Sequence, residues 1–154
     1  RLALSLVPSD LGAPLHSVEK DFSRHPSPGN NHLVLTIQPD LPEISADPER
    51  LIQVITNLVS NAERHTRNGT ITISLTGEPG WQTICVSDTG TGMSKEIRKN
   101  ALKGYVSADK DYWRHGIGLY VCHQIITAHS GKIWLKSKEG EGTQVFFSLP
   151  EEES

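Results

Sequence analysis

The chain has 154 residues, a formal net charge of −3, two cysteines and seven histidines. That length suits one domain with a real core, and the mild acidity leaves no basic field for nucleic acid or anionic lipid. There is no run of about 18 apolar residues, so this domain is expected to make no direct contact with a membrane.

The start, Arg1-Leu2-Ala3-Leu4, lacks a Met and a signal-peptide pattern and reads as the cut edge of a longer protein. Residues 1–9 read as a linker or the tail of a preceding helical domain. Asp10 can cap a helix running to about Ser23, and the Pro/Gly/Ser/Asn-rich stretch 24–31 is a loop. Leu33 to Ile37 is a strand, and 39–46 is another connection.

Asp47-Pro48 is a strong helix start, a capping carboxylate followed by proline in the first turn. The helix is expected to run to about Thr66, where Asn68-Gly69 stops it. At 3.6 residues per turn Leu51, Ile55, Leu58 and Ala62 share one face, with Arg50, Asn57, Asn61 and Arg64 along its flank. Two strands follow, Thr70 to Thr76 and Trp81 to Ser87. The polar stretch of about 94–115 reads as a lid, with one short helix around 95–102. Ile117 to His129 is a helix with Leu119, Cys122, Ile125 and Ile126 inward. Lys132 to Ser137 and Thr143 to Leu149 pair across a turn, and 151–154 is an acidic tail. Cys85 and Cys122 both fall in apolar patterns and read as buried residues, which fits a reducing, cytoplasmic compartment.

Four short motifs carry the chemistry. Asn57 and Asn61, one turn apart, lie about 6 Å from each other along the helix axis. Their amides could satisfy neighbouring backbone groups. They could also serve Mg²⁺, which takes oxygen ligands and binds through one or two protein groups plus phosphates. Asp88-Thr89-Gly90-Thr91-Gly92 follows a strand; it is either an Asx turn or an acceptor for an exocyclic amino group in a mostly apolar pocket. His115-Gly116-Ile117-Gly118-Leu119 opens a helix, whose free N–H groups and dipole suit phosphate. Gly140-Glu141-Gly142-Thr143 is by itself a hairpin turn. No P-loop, dinucleotide-binding fingerprint, zinc-ligand spacing or nucleophile motif is present.

Order and spacing of the four motifs resemble the catalytic, ATP-binding domain of sensor histidine kinases, within the superfamily that also holds gyrase, MutL and heat-shock chaperone ATPases. The stretch from Asp47 to Ala62 is similar to that family's asparagine box, and the other three motifs to its three glycine boxes. The resemblance covers 10–150. It implies an α+β fold of the Bergerat type: a two-layer α/β sandwich whose mixed, mostly antiparallel sheet is covered on one face by three helices. It implies ATP and Mg²⁺ as cofactors, with Asn61 on the metal, Asn57 on phosphate, and Asp88 on the adenine amino group through a water that Thr143 also holds. Gly116, Gly118 and Leu119 would offer amides to the phosphates. Arg64 stands where a basic residue often meets phosphate, and His65 where a ring often lies against adenine. Gly90, Gly92, Met93, Tyr105, Arg114 and His115 complete the implied pocket. The chain departs from the family pattern at Leu102 and Tyr105, where Phe-x-x-Phe is common, and at Tyr120, which replaces the last glycine of the second box.

Relatives that hydrolyse ATP or phosphorylate serine carry a Glu as general base four residues before the metal-binding Asn. Here that residue is Asn57, which cannot take a proton. A neutral imidazole needs less activation as a nucleophile, and phosphoryl transfer to it is mostly positioning and charge stabilisation. No His here is followed by Glu or Asp, so the acceptor histidine is expected on a separate helical domain, and this domain alone is not expected to phosphorylate itself. The implied partners are that phosphoacceptor domain, a response regulator and, for the parent, a second copy of itself. Two other readings stay open: an ATP sensor without transfer, motivated by Tyr105 and Tyr120, and a related serine kinase or ATPase, which Asn57 disfavours.

Overall fold

The computed structural model describes residues 2–95 and 110–151, the side chains of 110–118 excepted. The short helix expected around 95–102, the stretch 96–109 of the lid, Tyr105, the side chains of Arg114 and His115, and residues 152–154 lie outside the described residues.

Among the described residues the elements run β1 (Val7–Ser9), α1 (Gly12–Ser23), β2 (His32–Ile37), β3 (Ile44–Ala46), α2 (Pro48–His65), β4 (Thr70–Glu78), β5 (Trp81–Asp88), α3 (Lys110–Ala128), β6 (Lys132–Lys138) and β7 (Gly142–Pro150). Five strands form a sheet in the order β2-β4-β5-β7-β6, with β2 parallel to β4 and every other pairing antiparallel. The helices cover one face, which is the expected two-layer sandwich.

Alternation along the strands decides which residues meet the helices. Ile71, Ile73 and Leu75 of β4, Ile84 and Val86 of β5, and Val145, Phe147 and Leu149 of β7 are buried on the helix side. They pack with Leu51, Val54, Ile55, Leu58 and Ala62 of α2 and with Leu119, Cys122, Ile125 and Ile126 of α3. Burying a side chain such as Phe147 or Leu58 contributes about 1.5–3 kcal/mol. The opposite face is more open. There Trp134 stacks on Phe146 with ring centroids 5.3 Å apart, and Lys132 lies over the Trp81 ring.

Two short strands depart from the sequence expectation. Val7–Ser9, expected as linker, pairs antiparallel with Ile44–Ala46, expected as connection. Three residues are too few to show a period, and Pro8 argues against a strand; this pairing forms a separate two-stranded ribbon, where a proline is tolerated. The third helix also starts earlier than its apolar period, at Lys110 rather than Ile117. No proline stands between those positions, and an interior glycine costs only about 1 kcal/mol relative to alanine.

One buried histidine ties the helices together. Asp47 caps α2 by accepting the Arg50 N–H, and its other oxygen accepts the Ser5 N–H. The Asp47 N–H itself donates to His129 Nε2 at 3.0 Å. His129 Nδ1 lies 2.9 Å from the Ile125 carbonyl, which can only accept, so the proton sits on Nδ1. The end of α3 is thereby fastened to the start of α2. Although burial raises the Asp47 pKa, the Ser5 and Arg50 amides hold it below its ordinary value.

Candidate functional site

At one end of the sheet the buried apolar rows give way to polar side chains. Asp88 at the end of β5, Thr143 at the start of β7 and Ser137 near the end of β6 continue the helix-side rows of Val86, Val145 and Leu135. All three are buried. Asp88 Oδ1 accepts the Gly90 N–H at 2.9 Å and the Thr143 N–H at 3.2 Å. Both amides use the same oxygen, so Oδ2 keeps its lone pairs for something else. Burial pushes the Asp88 carboxyl up from its ordinary 3.8, against the pull of those two amides, of His65 and of Thr66.

Beside it, the buried Thr66 Oγ1 lies near enough to influence Asp88 but forms no hydrogen bond of good geometry. A buried hydroxyl without a partner is costly. Next to a half-satisfied carboxylate, it marks a place built for a polar ligand atom or a water. The open Asp88 oxygen is an acceptor, so this corner fits a base edge that presents an amino group.

The loop after Asp88 is held by backbone contacts on both sides. Thr91 N–H donates to the His65 carbonyl at the end of α2, and Gly140 N–H donates to the Thr91 carbonyl. Gly142 has φ +92, and a Cβ there would stand 2.1 Å from the Asp88 carbonyl oxygen. Gly92 has φ +72 and meets the Lys138 carbonyl as closely. The first and third glycine boxes thus close on each other through positions that admit no side chain. Met93 N–H ends this loop on Ser137 Oγ at 2.7 Å.

A cleft of about 490 Å³ opens here, lined by Arg64, His65, Arg67, Thr89, Gly90, Thr91 and Gly140. A second groove, of about 410 Å³ between α1 and α2, includes Val18, Phe22, Thr56, Val59 and Ser60 and no glycine-box residue; it is not this site.

Asn57 and Asn61 lie on α2, half buried. Asn57 lies close to the Cys122 thiol of α3, which burial pushes up to about 12 and which donates to the Val54 carbonyl. Asn61 Oδ1 accepts a hydrogen bond from the Arg64 guanidinium. A carbonyl oxygen that already draws a cation is a suitable ligand for Mg²⁺, which needs few protein groups when phosphates supply the rest. Among the described residues no cluster of three His, Cys, Asp or Glu could hold a metal by itself.

Sequence placement and structure differ over the second glycine box. Gly116, Gly118 and Leu119 fall inside α3, not at its first turn. In this state their N–H groups bond the carbonyls four residues earlier. Leu119 is buried in the core. The structure therefore brings Asp88, Gly90, Gly92, Met93 and Thr143 together with the end of α2 at His65, and places Asn57 and Asn61 further along the same helix. Thr66 and Ser137 belong to this corner as well, although no sequence motif singles them out. The available signal for Ser137 is a polar residue on the inward phase of Ile133 and Leu135.

Comparison with known proteins gives a consistent result. The family model described as "Histidine kinase-, DNA gyrase B-, and HSP90-like ATPase" matches residues 46–153. The chain is 40% identical over 124 residues to the adaptive-response sensory kinase SasA of Synechococcus elongatus, covering 77% of this chain and 32% of that protein. It therefore spans about a third of the length of the curated relatives it matches. Among solved structures, full-length ShkA in complex with AMPPNP superposes with a TM-score of 0.83 at 25% identity, over 97% of this chain and 32% of that one. Histidine kinase ThkA in complex with response regulator protein TrrA has the same fold, with a TM-score of 0.77 at 23% identity, over 96% of this chain and 42% of that one.

Proposed function

The chain belongs to the histidine kinase-, DNA gyrase B- and HSP90-like ATPase family, and from that premise we propose that it binds Mg·ATP and donates the γ-phosphoryl group to a histidine on a separate helical domain of a two-component sensor kinase. Asp88 Oδ2 takes the adenine amino group, with Thr143 beside it. Asn57 and Arg64 steady the phosphates, and Asn61 Oδ1 would hold Mg²⁺. When bound, the metal neutralises charge on the phosphate oxygens.

The observation that carries this reading is the chemistry of α2. Between Leu51 and His65 its only carboxylate is Glu63, and Glu63 is held by Ser27 at 2.7 Å and Asn31 at 3.0 Å. The nucleotide-facing stripe carries amides instead, which can orient phosphate but cannot take a proton from water or serine. A histidine nucleophile does not need that base. The parent's acceptor domain, its dimerisation and its response regulator are part of the same proposal. The likeness to the AMPPNP-bound ShkA and the similarity to SasA kinases support it.

The test is transfer of label from [γ-³²P]ATP when this domain is joined to its helical phosphoacceptor domain. Acid-labile, alkali-stable phosphate on histidine is expected. Steady release of inorganic phosphate by this domain alone would point to an ATPase, and tight ATP binding with no labelled histidine would point to a sensor; either overturns the proposal.

A further inference from the structure

Asn31 belongs to none of the four motifs. It stands just before β2, at the end of the connection from α1, and it is buried. Its side-chain amide makes three hydrogen bonds. Nδ2 donates to the Thr66 carbonyl at 2.8 Å and to Glu63 Oε1 at 3.0 Å, and Oδ1 accepts the Gly69 N–H at 3.0 Å. A carbonyl can only accept and a backbone N–H can only donate, so one orientation of the amide satisfies both. Neighbouring residues grip the same turn through the backbone. The Asn68 N–H donates to the Gly29 carbonyl at 2.7 Å, and the His32 N–H donates to the Gly69 carbonyl at 2.9 Å. Gly29 comes so near that a Cβ there would stand 2.4 Å from the Thr66 carbonyl oxygen.

The turn held in this way, 66–69, backs the first glycine box. The residues on either side of it hold that box by main-chain contacts. The His65 carbonyl accepts the Thr91 N–H at 3.0 Å, and the Thr70 carbonyl accepts the Thr89 N–H at 3.2 Å. The Thr70 N–H donates back to Thr89 Oγ1 at 3.1 Å. There is no room for a side chain between the two stretches. A Cβ on Gly90 would stand 2.2 Å from the His65 carbonyl oxygen, and one on Gly69 would stand 2.4 Å from Thr89 Oγ1. Three stretches, 29–32, 65–70 and 88–91, therefore lie backbone against backbone. Asn31 is the buried side chain of the first that binds both ends of the turn in the second.

We propose that Asn31 is a positioning residue for the nucleotide base: by holding the Thr66 carbonyl and the Gly69 N–H it sets the turn on which Asp88 and the first glycine box close. The inference rests on the reading of Asp88 as the base-binding residue. Asn31 acts through the turn and not on the ligand. Truncating it takes a donor from the Thr66 carbonyl and an acceptor from the Gly69 N–H. The turn then shifts, and the loop after Asp88 shifts with it. Asn57 and Asn61 stand further back along α2, and Glu63 keeps its bond to Ser27, so the phosphate end is spared.

The experiment probes the two ends of the site separately, by calorimetry on the full chain. Adenosine carries the base and no phosphate; Mg·tripolyphosphate carries phosphates and no base. Asn31→Ala weakens adenosine about five- to tenfold, the scale of one hydrogen bond, and leaves Mg·tripolyphosphate unchanged. Asn31→Asp keeps the shape and the oxygen that faces Gly69, but it turns an acceptor toward the Thr66 carbonyl and Glu63. It weakens adenosine at least as much as Asn31→Ala. Wild-type adenosine affinity in Asn31→Asp would show that the donated hydrogen bond does not matter and would overturn the proposal. Should Asn31→Ala fail to fold, Gly29→Ala reads the same effect. It removes no hydrogen-bonding group, yet it presses a Cβ on the same Thr66 carbonyl, and a loss confined to adenosine is again expected. Equal weakening of both probes would reduce Asn31 to a general brace and also overturn the proposal. If Asp88→Asn leaves adenosine affinity untouched as well, the base-end reading itself has failed; if Asp88→Asn weakens adenosine and Asn31→Ala does not, only the role of Asn31 has failed.

Discussion

The two ends of the candidate nucleotide site are built differently. The base end sits on the sheet: Asp88, Thr143 and Ser137 are fixed by strand register, and backbone amides from Gly90, Thr143 and Met93 close on them. The phosphate end sits on helix surfaces. Asn61 bonds a neighbouring Arg64 side chain, and the second glycine box lies within the α3 helix. A hydrogen bond from the backbone is fixed by the fold, whereas a bond between two side chains on a helix surface is readily exchanged for another partner. On the proposed function, base selection is preorganised, while phosphate and metal binding would proceed by swapping partners on α2.

That contrast can be broken from either side. The largest effect is expected at the base end. Gly142→Ala forces a Cβ to within 2.1 Å of the Asp88 carbonyl oxygen at φ +92, and should destabilise the domain by about 2–5 kcal/mol through strain and overpacking. Urea unfolding checks this, and a loss below the scale of a surface substitution would mean the base end is not rigid. A smaller and more selective effect is expected at the phosphate end. Asn61→Ala should lower Mg-dependent ATP affinity roughly tenfold or more, yet leave adenosine binding intact, since adenosine carries no phosphate. Parallel weakening of both ligands in calorimetry would show that the two ends are not separable.

The smallest effect is on the stability of the nucleotide-free domain. Burial raises the Asp88 pKa above 3.8, so the folded state holds that proton more tightly than the unfolded chain. Its contribution is full below 3.8 and is lost as pH rises through the folded value. At neutral pH the ionised carboxylate costs stability. Asp88→Asn keeps an oxygen for both amides and should raise the neutral-pH Tm slightly, with the gain shrinking on acidification. An unchanged difference between pH 7 and pH 4 would contradict the burial argument.

Much of the fold is legible in the sequence where the signal is local. Helix α2 has the bounds its residues imply, because Asp47-Pro48 is a cap written into adjacent positions and the apolar period after it runs unbroken. Strands β4 and β5 are legible for the same kind of reason. The β1–β3 ribbon is not, because three-residue strands draw their stability from a partner far along the chain. Thr66 and Ser137 are hidden too: the unpartnered hydroxyl of one and the contacts of the other with Met93 and Thr143 depend on which segments end side by side. Local patterns reveal elements and motif order, but which polar side chains meet at the strand ends follows from tertiary neighbours.

The most direct test of the central claim is the ratio of ATP to ITP affinity, measured for wild type and Asp88→Asn. In the variant an amide NH₂ replaces the accepting Oδ2, so a donor faces the base where an acceptor stood. Wild type should favour ATP about tenfold or more, and Asp88→Asn should erase or reverse that preference. An equal preference in both proteins would contradict the assignment of Asp88 as the residue that reads the base.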